Sequence, residues 1–491
     1  MQELLIDLDR NANKSLQSQL REVLVSAILQ GHLSPGEKLP STRRLSTQLG
    51  ISRNTSVLVY QGLTEDGYLR TNQRSGYFVN ETVADMGVSK AALQEISARD
   101  ATAPAEMDWS DRIKRRPGQQ ENIKKPRNWQ KLKYPFIYGQ PDRALFPITD
   151  WRDCVYKAMG KQWLDDWSQD TLDNDDPLLI EQIRNRILPR RGILASEDQI
   201  LVTLGAQQAL YMVASLLVGE RTRVVLEEPG YPDARNIFSL RTDMVHFTGV
   251  DGYGLEVAGI PADTELVYTT PSHQLPTTVT MPLERRKALL ARATDDDFVI
   301  VEDDYELETN FVGKPVPALK SLDKDGRVIY LGSFSKTLFP GLRLGFIVAS
   351  RELIAEMRAL RRLMVRHPPN NNQRSTAFFL SLGYYDVFVR RLHRVYSERW
   401  RVMGSALARH LPQAQVTRGV GGSSYWMQFG PGHGFDSKQL VERALQEDIY
   451  VEPGDIYFGG QPPGSCLRLG FSSIKTEAIE PGLEALGRLL R

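Results

Sequence analysis

The sequence reads as an α/β protein: a small N-terminal winged helix-turn-helix, a linker, then a large domain built on a parallel sheet. Two patterns carry that reading. From about residue 135, short apolar runs of buried-strand type recur at 200–203, 223–226, 265–268, 298–301 and 328–331. Helical segments separate most of them, as in a sheet covered on both faces. Residues 1–80 instead carry three helical patterns and a hairpin.

The N-terminal elements follow in order. Leu16, Leu20, Val23, Leu24, Ala27 and Ile28 recur at helical spacing and predict an amphipathic helix ended by Gly31. Ser34-Pro35-Gly36 is a turn. Ser41 is the N-cap of a short helix through Leu49, with Gly50 as its left-handed end, and Ser52 caps a third helix with Val57, Tyr60 and Leu63 turned inward. After Gly67, residues 68–70 and 77–79 predict two strands around a polar turn from Asn72 to Gly76. Residues 81–134 lack aliphatic periodicity, hold basic clusters at 112–116 and 124–127, and are broken by Pro117, Gly118 and Pro126. They predict a flexible basic linker whose charge is either solvated or an auxiliary DNA contact. The effector domain spans 135–491, with a smaller α+β piece over about 385–491.

Composition narrows the function. A length of 491 residues calls for two or more domains, and 41% hydrophobic with 25% charged residues is globular composition. A net charge of +1 carries no overall nucleic-acid or membrane signature, so any DNA contact must come from a local cluster. Cys154 and Cys466 lie too far apart for a metal spacing and read as reduced thiols, so no metal is expected. No secretory leader or membrane-length apolar run is present, which predicts a cytoplasmic protein.

That local cluster sits at the third helix. In a helix-turn-helix the second helix of the pair enters the major groove by its N-terminal residues, here Ser52, Arg53, Asn54 and Thr55. Arginine suits guanine and asparagine suits adenine. Arg43 and Arg44 on the preceding helix, and Arg70, Arg74 and Gly76 in the hairpin, suit phosphates or the minor groove. The run Pro35-Gly36-Glu37-Lys38-Leu39-Pro40-Ser41-Thr42-Arg43, with the Ser-Arg-Asn-Thr helix start, resembles the GntR superfamily of bacterial regulators. The resemblance implies binding to a double-stranded operator.

A second constellation lies in the large domain. Gly332-Ser333-Phe334-Ser335-Lys336 ends a strand, and Arg343 follows seven residues after the lysine. A lysine among hydroxyls and beside a fixed cation can attack an aldehyde, while Ser333, Ser335 and Arg343 can hold a phosphate. Gly205-Ala206-Gln207 opens a helix after a strand, where free amides bind anions. Tyr231, just past another strand end, can cover an aromatic ring. Asp303 or Asp304 can pair a pyridinium nitrogen, with Asp303 favoured, and Tyr305 can donate to the ring oxygen. His273 lies either near that ring or in a hydrogen-bonded loop. Together these describe a pyridoxal-phosphate pocket.

Residues 135–491 thus resemble a fold-type-I aminotransferase, and the fusion resembles the MocR subfamily of GntR-type transcriptional regulators. The resemblance implies cofactor attachment at Lys336, a head-to-tail homodimer, and Arg468 as the holder of an effector carboxylate. Gly139-Gln140-Pro141-Asp142 resembles the segment that closes over a substrate. The chain departs from the enzyme pattern at Leu275-Pro276-Thr277-Thr278, where aminotransferases carry Asn-Pro-Thr-Gly, and at Asn174 and Leu179, where tyrosine and glycine are common. The expectation is a pyridoxal-phosphate-dependent regulator that senses the cofactor, or an amine or amino acid exchanging with the Lys336 aldimine. The alternative is an active aminotransferase carrying a DNA-binding appendage.

Overall fold

The computed structural model describes residues 7–10, 12, 14–72, 76–82, 107–306, 308–417, 419–430 and 434–490. The chain divides into two compact units, Met1–Lys114 and Arg115–Arg491.

In the first unit, helices α1 (Leu16–Leu29), α2 (Thr42–Leu49) and α3 (Arg53–Glu65) precede strands β1 (Leu69–Asn72) and β2 (Gly76–Val79), which pair antiparallel. The caps lie where short polar side chains compete for backbone amides. Ser41 accepts from Arg44 N at 3.2 Å and Ser52 from Thr55 N at 3.0 Å. Gly50 ends α2 at φ 61°, a left-handed conformation that costs glycine nothing. Leu20, Leu24, Leu45, Val59, Tyr60, Leu63, Leu69 and Val79 form one closed core.

The second unit is built on an eight-stranded sheet. Its strands are β4 (Ile200–Thr203), β5 (Val224–Glu228), β6 (Val245–Asp251), β7 (Gly254–Leu255), β8 (Leu266–Thr269), β9 (Val299–Asp304), β10 (Val328–Ser333) and β11 (Gly345–Val348), in the order β4-β11-β10-β9-β8-β5-β6-β7; a two-residue strand β3 (Tyr134–Pro135) precedes them in the chain. The five strands β10, β9, β8, β5 and β6 run parallel, whereas β11 is antiparallel to both β4 and β10. The sheet is therefore mixed. Only the turn carrying Lys336 and Arg343 separates β10 from β11, too short a link for a parallel crossover, so the chain must reverse. Alternation sends neighbours to opposite faces: Ile329 and Leu331 join one apolar cluster, Tyr330 another and Val328 a third.

Strands β12 (Ala414–Val416), β13 (Ser424–Phe429), β15 (Glu452–Pro453) and β16 (Cys466–Gly470) form an antiparallel sheet in the order β12-β13-β16-β15, and β14 (Ile449–Tyr450) pairs parallel with β3. Register places Arg468 opposite both Trp426 and Glu452.

The segment expected to be a flexible linker is divided. Residues 115–134 belong to the second unit, held by hydrogen bonds from Gln120 to Asn236 O, from Lys125 to Tyr138 O and from Tyr450 to Lys124 O. Its basic residues mask these contacts in sequence, because they are made through backbone groups and long stems rather than an apolar stripe.

Candidate functional site

In open α/β sheets ligands bind outside the carboxyl ends of the strands. Here that edge gathers Gly205 after β4, Tyr231 after β5, the loop 270–280 after β8, Asp303 at the end of β9 and Lys336 after β10. The five segments are far apart in sequence and converge because their strands run the same way.

Lys336 is half-buried, and its Nζ lies 4.4 Å from the ring centroid of Tyr138. Among the described residues no hydrogen bond engages that amine. Burial, then the charge of Lys125, pushes its pKa down to about 7, against the pull of Glu306.

The two aspartates at the end of β9 part company because successive strand residues face opposite ways. Asp304 has a cationic partner: Arg191 Nε donates to its Oδ2 at 2.6 Å and the Tyr330 hydroxyl at 2.8 Å, and its pKa is held low despite burial, although its Oδ1, like that of Asp303, has no partner. Asp303 accepts from the Tyr268 hydroxyl at 2.9 Å on Oδ2, while its buried Oδ1 has no partner. Burial raises its pKa to about 7, offset in part by the Tyr268 bond. Leaving such a group unpaired costs about 1–3 kcal/mol, which a cationic partner at Oδ1 would remove.

Tyr305 differs from expectation. Its hydroxyl donates to His273 O at 2.7 Å, so its proton is committed and toward a ligand it can only accept. Leu275 is buried against Tyr138 and Tyr305, with its N–H on Thr270 Oγ1 at 3.0 Å, and brings no side-chain donor. His273 is a buried loop histidine whose pKa burial lowers to about 4, with Nδ1 unpaired.

The helix Ala206–Leu217 begins at Gly205, φ 82°, with no side chain capping it. Arg343 closes this corner: its Nη2 donates to Leu204 O at 2.7 Å, and its guanidinium stands 3.4–3.5 Å from where a Cβ on Gly205 would lie. Ser335 N donates to Ser333 Oγ at 3.2 Å. The Gln207 side chain turns aside to Asp233 at 3.1 Å, which also accepts from the Tyr231 hydroxyl at 3.1 Å. Backbone amides, two hydroxyls and one guanidinium in one corner are the chemistry that could hold a dianion.

Arg468 is fully buried: Nε donates to Ser424 Oγ at 3.0 Å and Nη1 to the Tyr457 hydroxyl at 3.1 Å. Its Nη2 has no partner. Its guanidinium lies 3.2 Å from the ring centroid of Tyr138, the ring that Lys336 also approaches. Sequence reasoning missed Tyr138, Tyr268 and Lys125. Only Tyr268 left a signal, a hydroxyl at the carboxyl end of an apolar strand.

In the first unit Arg43, Arg44, Arg53 and Asn54 are exposed and their side chains make no hydrogen bond among the described residues. Ser52 and Thr55 are engaged with each other, hydroxyl to hydroxyl at 2.8 Å, and hold the helix end rather than project from it. Arg70 pairs with Glu81 at 2.5 Å, an exposed contact of the kind worth at most about 1 kcal/mol. Gly76 opens β2 at φ 106°. Arg74 lies outside the described residues. Among the described residues no group of His, Cys, Asp and Glu could hold a metal ion, and no helix is long and apolar enough to cross a membrane.

Comparisons with known proteins agree with both halves. Residues 16–79 match the family model for bacterial regulatory proteins of the gntR family, and residues 170–486 match aminotransferase class I and II. The chain is 43% identical to the HTH-type transcriptional regulator TauR of Rhodobacter capsulatus, over 97% of each chain. It is 32% identical to the probable rhizopine catabolism regulatory protein MocR of Rhizobium meliloti, over 98% of this chain and 94% of that one. Among solved structures, the α-aminoadipate aminotransferase LysN of Thermus thermophilus, complexed with N-(5'-phosphopyridoxyl)-L-leucine, aligns with a TM-score of 0.70 and 28% identity, covering 78% of this chain and 98% of that one.

Proposed function

Because the chain belongs to the MocR subfamily of GntR-type transcriptional regulators, a winged helix fused to an aminotransferase class I and II domain, we propose that it is a pyridoxal-phosphate-dependent DNA-binding regulator. In this reading it responds to the cofactor itself, or to an amine or amino acid that competes with Lys336. The carrying observation is the pairing, in one chain, of a helix end that exposes Arg53 and Asn54 with a pocket that holds an unbonded Lys336 amine and an Asp303 with one unpartnered oxygen.

In this reading each residue has a role. Lys336 would attach the cofactor, Asp303 would pair its pyridinium nitrogen, and Tyr231 would cover its ring. The amides of Gly205, Ala206 and Gln207, with Ser333, Ser335 and Arg343, hold the phosphate. The bound cofactor supplies an aldehyde carbon and an electron-poor ring. Arg468 Nη2 is the candidate for an effector carboxylate. Arg53 and Asn54 read bases, while Arg43, Arg44, Arg70 and Arg74 meet phosphates.

Turnover is the weaker reading, since Leu275 brings no donor to the ring oxygen and Tyr305 has given its proton to His273 O. A multiple-turnover assay with an amino donor and a keto acid separates the two readings. The proposal includes work in the cytoplasm, where the operator is, and a head-to-tail homodimer. Leu363, 85% exposed at the end of the helix Arg351–Val365, with Met364 and Val365 beside it, supports self-association.

The deciding experiment compares operator binding by cofactor-free protein, loaded protein, and loaded protein with amines. Lys336→Ala should lose the visible absorbance of the loaded protein. If removing the cofactor changes neither operator affinity nor footprint, the sensing role fails.

A further inference from the structure

Residues 120–125, near the start of the second unit, pack beside the pocket. Gln120 Nε2 donates to Asn236 O at 3.0 Å, and Asn236 Nδ2 donates back to Glu121 O and Asn122 Oδ1, each at 2.9 Å. Ile123 packs on the cluster that contains Tyr138, Tyr231 and Tyr305. The Tyr450 hydroxyl donates to Lys124 O at 3.0 Å. Lys125 then turns inward, its Nζ donating to Tyr138 O at 2.7 Å. A Cβ added to Gly139 would collide with Lys336 Nζ and lie 3.7 Å from Lys125 Nζ, so both amines face one side of the same residue.

The Lys125 ammonium has three protons, and that carbonyl takes one. Among the described residues no carboxylate forms an ion pair with it. The acids whose charge acts on it, Glu452 and Asp233, are already engaged. Glu452 accepts from the Tyr457 hydroxyl at 2.9 Å and Tyr138 N at 3.4 Å; Asp233 accepts from Tyr231 and Gln207. Arg468 adds a third cation with a buried, unpartnered Nη2. The Lys125 and Arg468 cations and the Lys336 amine therefore all lie within 5.8 Å of the centre of the Tyr138 ring, a setting that attracts an incoming anion.

We propose that Lys125, together with the free Nη2 of Arg468, receives the acidic group of an amino-acid ligand that displaces Lys336 from the cofactor. Lys125 then separates acid-bearing amines from plain amines. It rests on the reading of Lys336 as the cofactor lysine. Because Lys125 keeps its bond to Tyr138 O and has protons to spare, binding the ligand's acid fastens residues 120–125 further, and that segment reports occupancy.

The test uses full-length, cofactor-loaded protein and two shape-matched pairs, L-alanine against isopropylamine and β-alanine against propylamine, titrated by visible absorbance. Wild type should bind the acid-bearing member of at least one pair about tenfold or more tighter, the range of one hydrogen bond between charged groups. Lys125→Met should erase most of that ratio and Lys125→Arg keep most of it. Deuterium exchange of residues 120–125 should fall with the acid-bearing probe in wild type and Lys125→Arg but not in Lys125→Met. An unchanged ratio in Lys125→Met, no preference for either acid in wild type, or a segment whose exchange ignores the probe would each overturn the proposal. Absence of cofactor absorbance in wild type would instead defeat the parent reading.

Discussion

Asp303 and Lys336 carry opposite pH signatures in the cofactor-free protein. Asp303 titrates near 7 when folded and near its ordinary value of 3.8 when unfolded. Between those values the folded chain keeps a proton that the unfolded chain has lost, so stability falls as pH rises. Lys336 titrates near 7 when folded against an ordinary 10.5. Above 7 the unfolded chain holds the extra proton, so this contribution to stability rises with pH up to about 10.5. Melting curves of cofactor-free protein should show Asp303→Asn flattening the decline below pH 7 and Lys336→Met flattening the rise above it, each by a few degrees. Parallel curves for wild type and variants would refute the assignment. Asp304 should behave differently: Asp304→Asn strips Arg191 of its buried partner and should cost about 3–5 kcal/mol, read by denaturant titration.

Two helix starts carry the proposed recognition, and each gives a prediction. At α3 the caps use Ser52 and Thr55, which leaves Arg53 and Asn54 to project. Arg53→Ala should relax sequence preference at one base position by about 1–3 kcal/mol, whereas Arg43→Ala should weaken specific and random DNA alike. Equal losses on both DNAs for Arg53→Ala, by gel shift, would remove it from base readout. At the helix Ala206–Leu217, the start depends on Gly205 at φ 82° with Arg343 close behind it. Gly205→Ala strains the turn and crowds the guanidinium, so cofactor affinity should fall at least about tenfold by absorbance titration.

The molecule as a whole has two compact units with separate cores. Calorimetry should resolve two transitions, and cofactor should move only the one belonging to the larger unit. At a hundredfold excess over the dissociation constant the gain is about 2.7 kcal/mol, a shift of a few degrees for a unit of this size. If both transitions moved together, the units would not be independent. Sedimentation should show a dimer that Leu363→Lys weakens.

Residue order alone made both halves legible. Serine caps, a glycine after α2 and a lysine after an apolar strand are local signals, since caps, turns and strand ends are decided by neighbours a few positions away. The family resemblance rested on the same local runs. Tertiary structure decided what depends on direction and on approach through space. Strand parity turned Asp304 onto Arg191 and left Asp303 with an open oxygen. A short turn reversed β11 and made the sheet mixed. A stretch that looked like linker brought Lys125 beside Lys336, and Tyr138 came to lie against both Lys336 and Arg468. Such meetings of segments far apart in the chain leave no period in the sequence, and burial together with the neighbouring charges they bring shifts the titration of the groups involved.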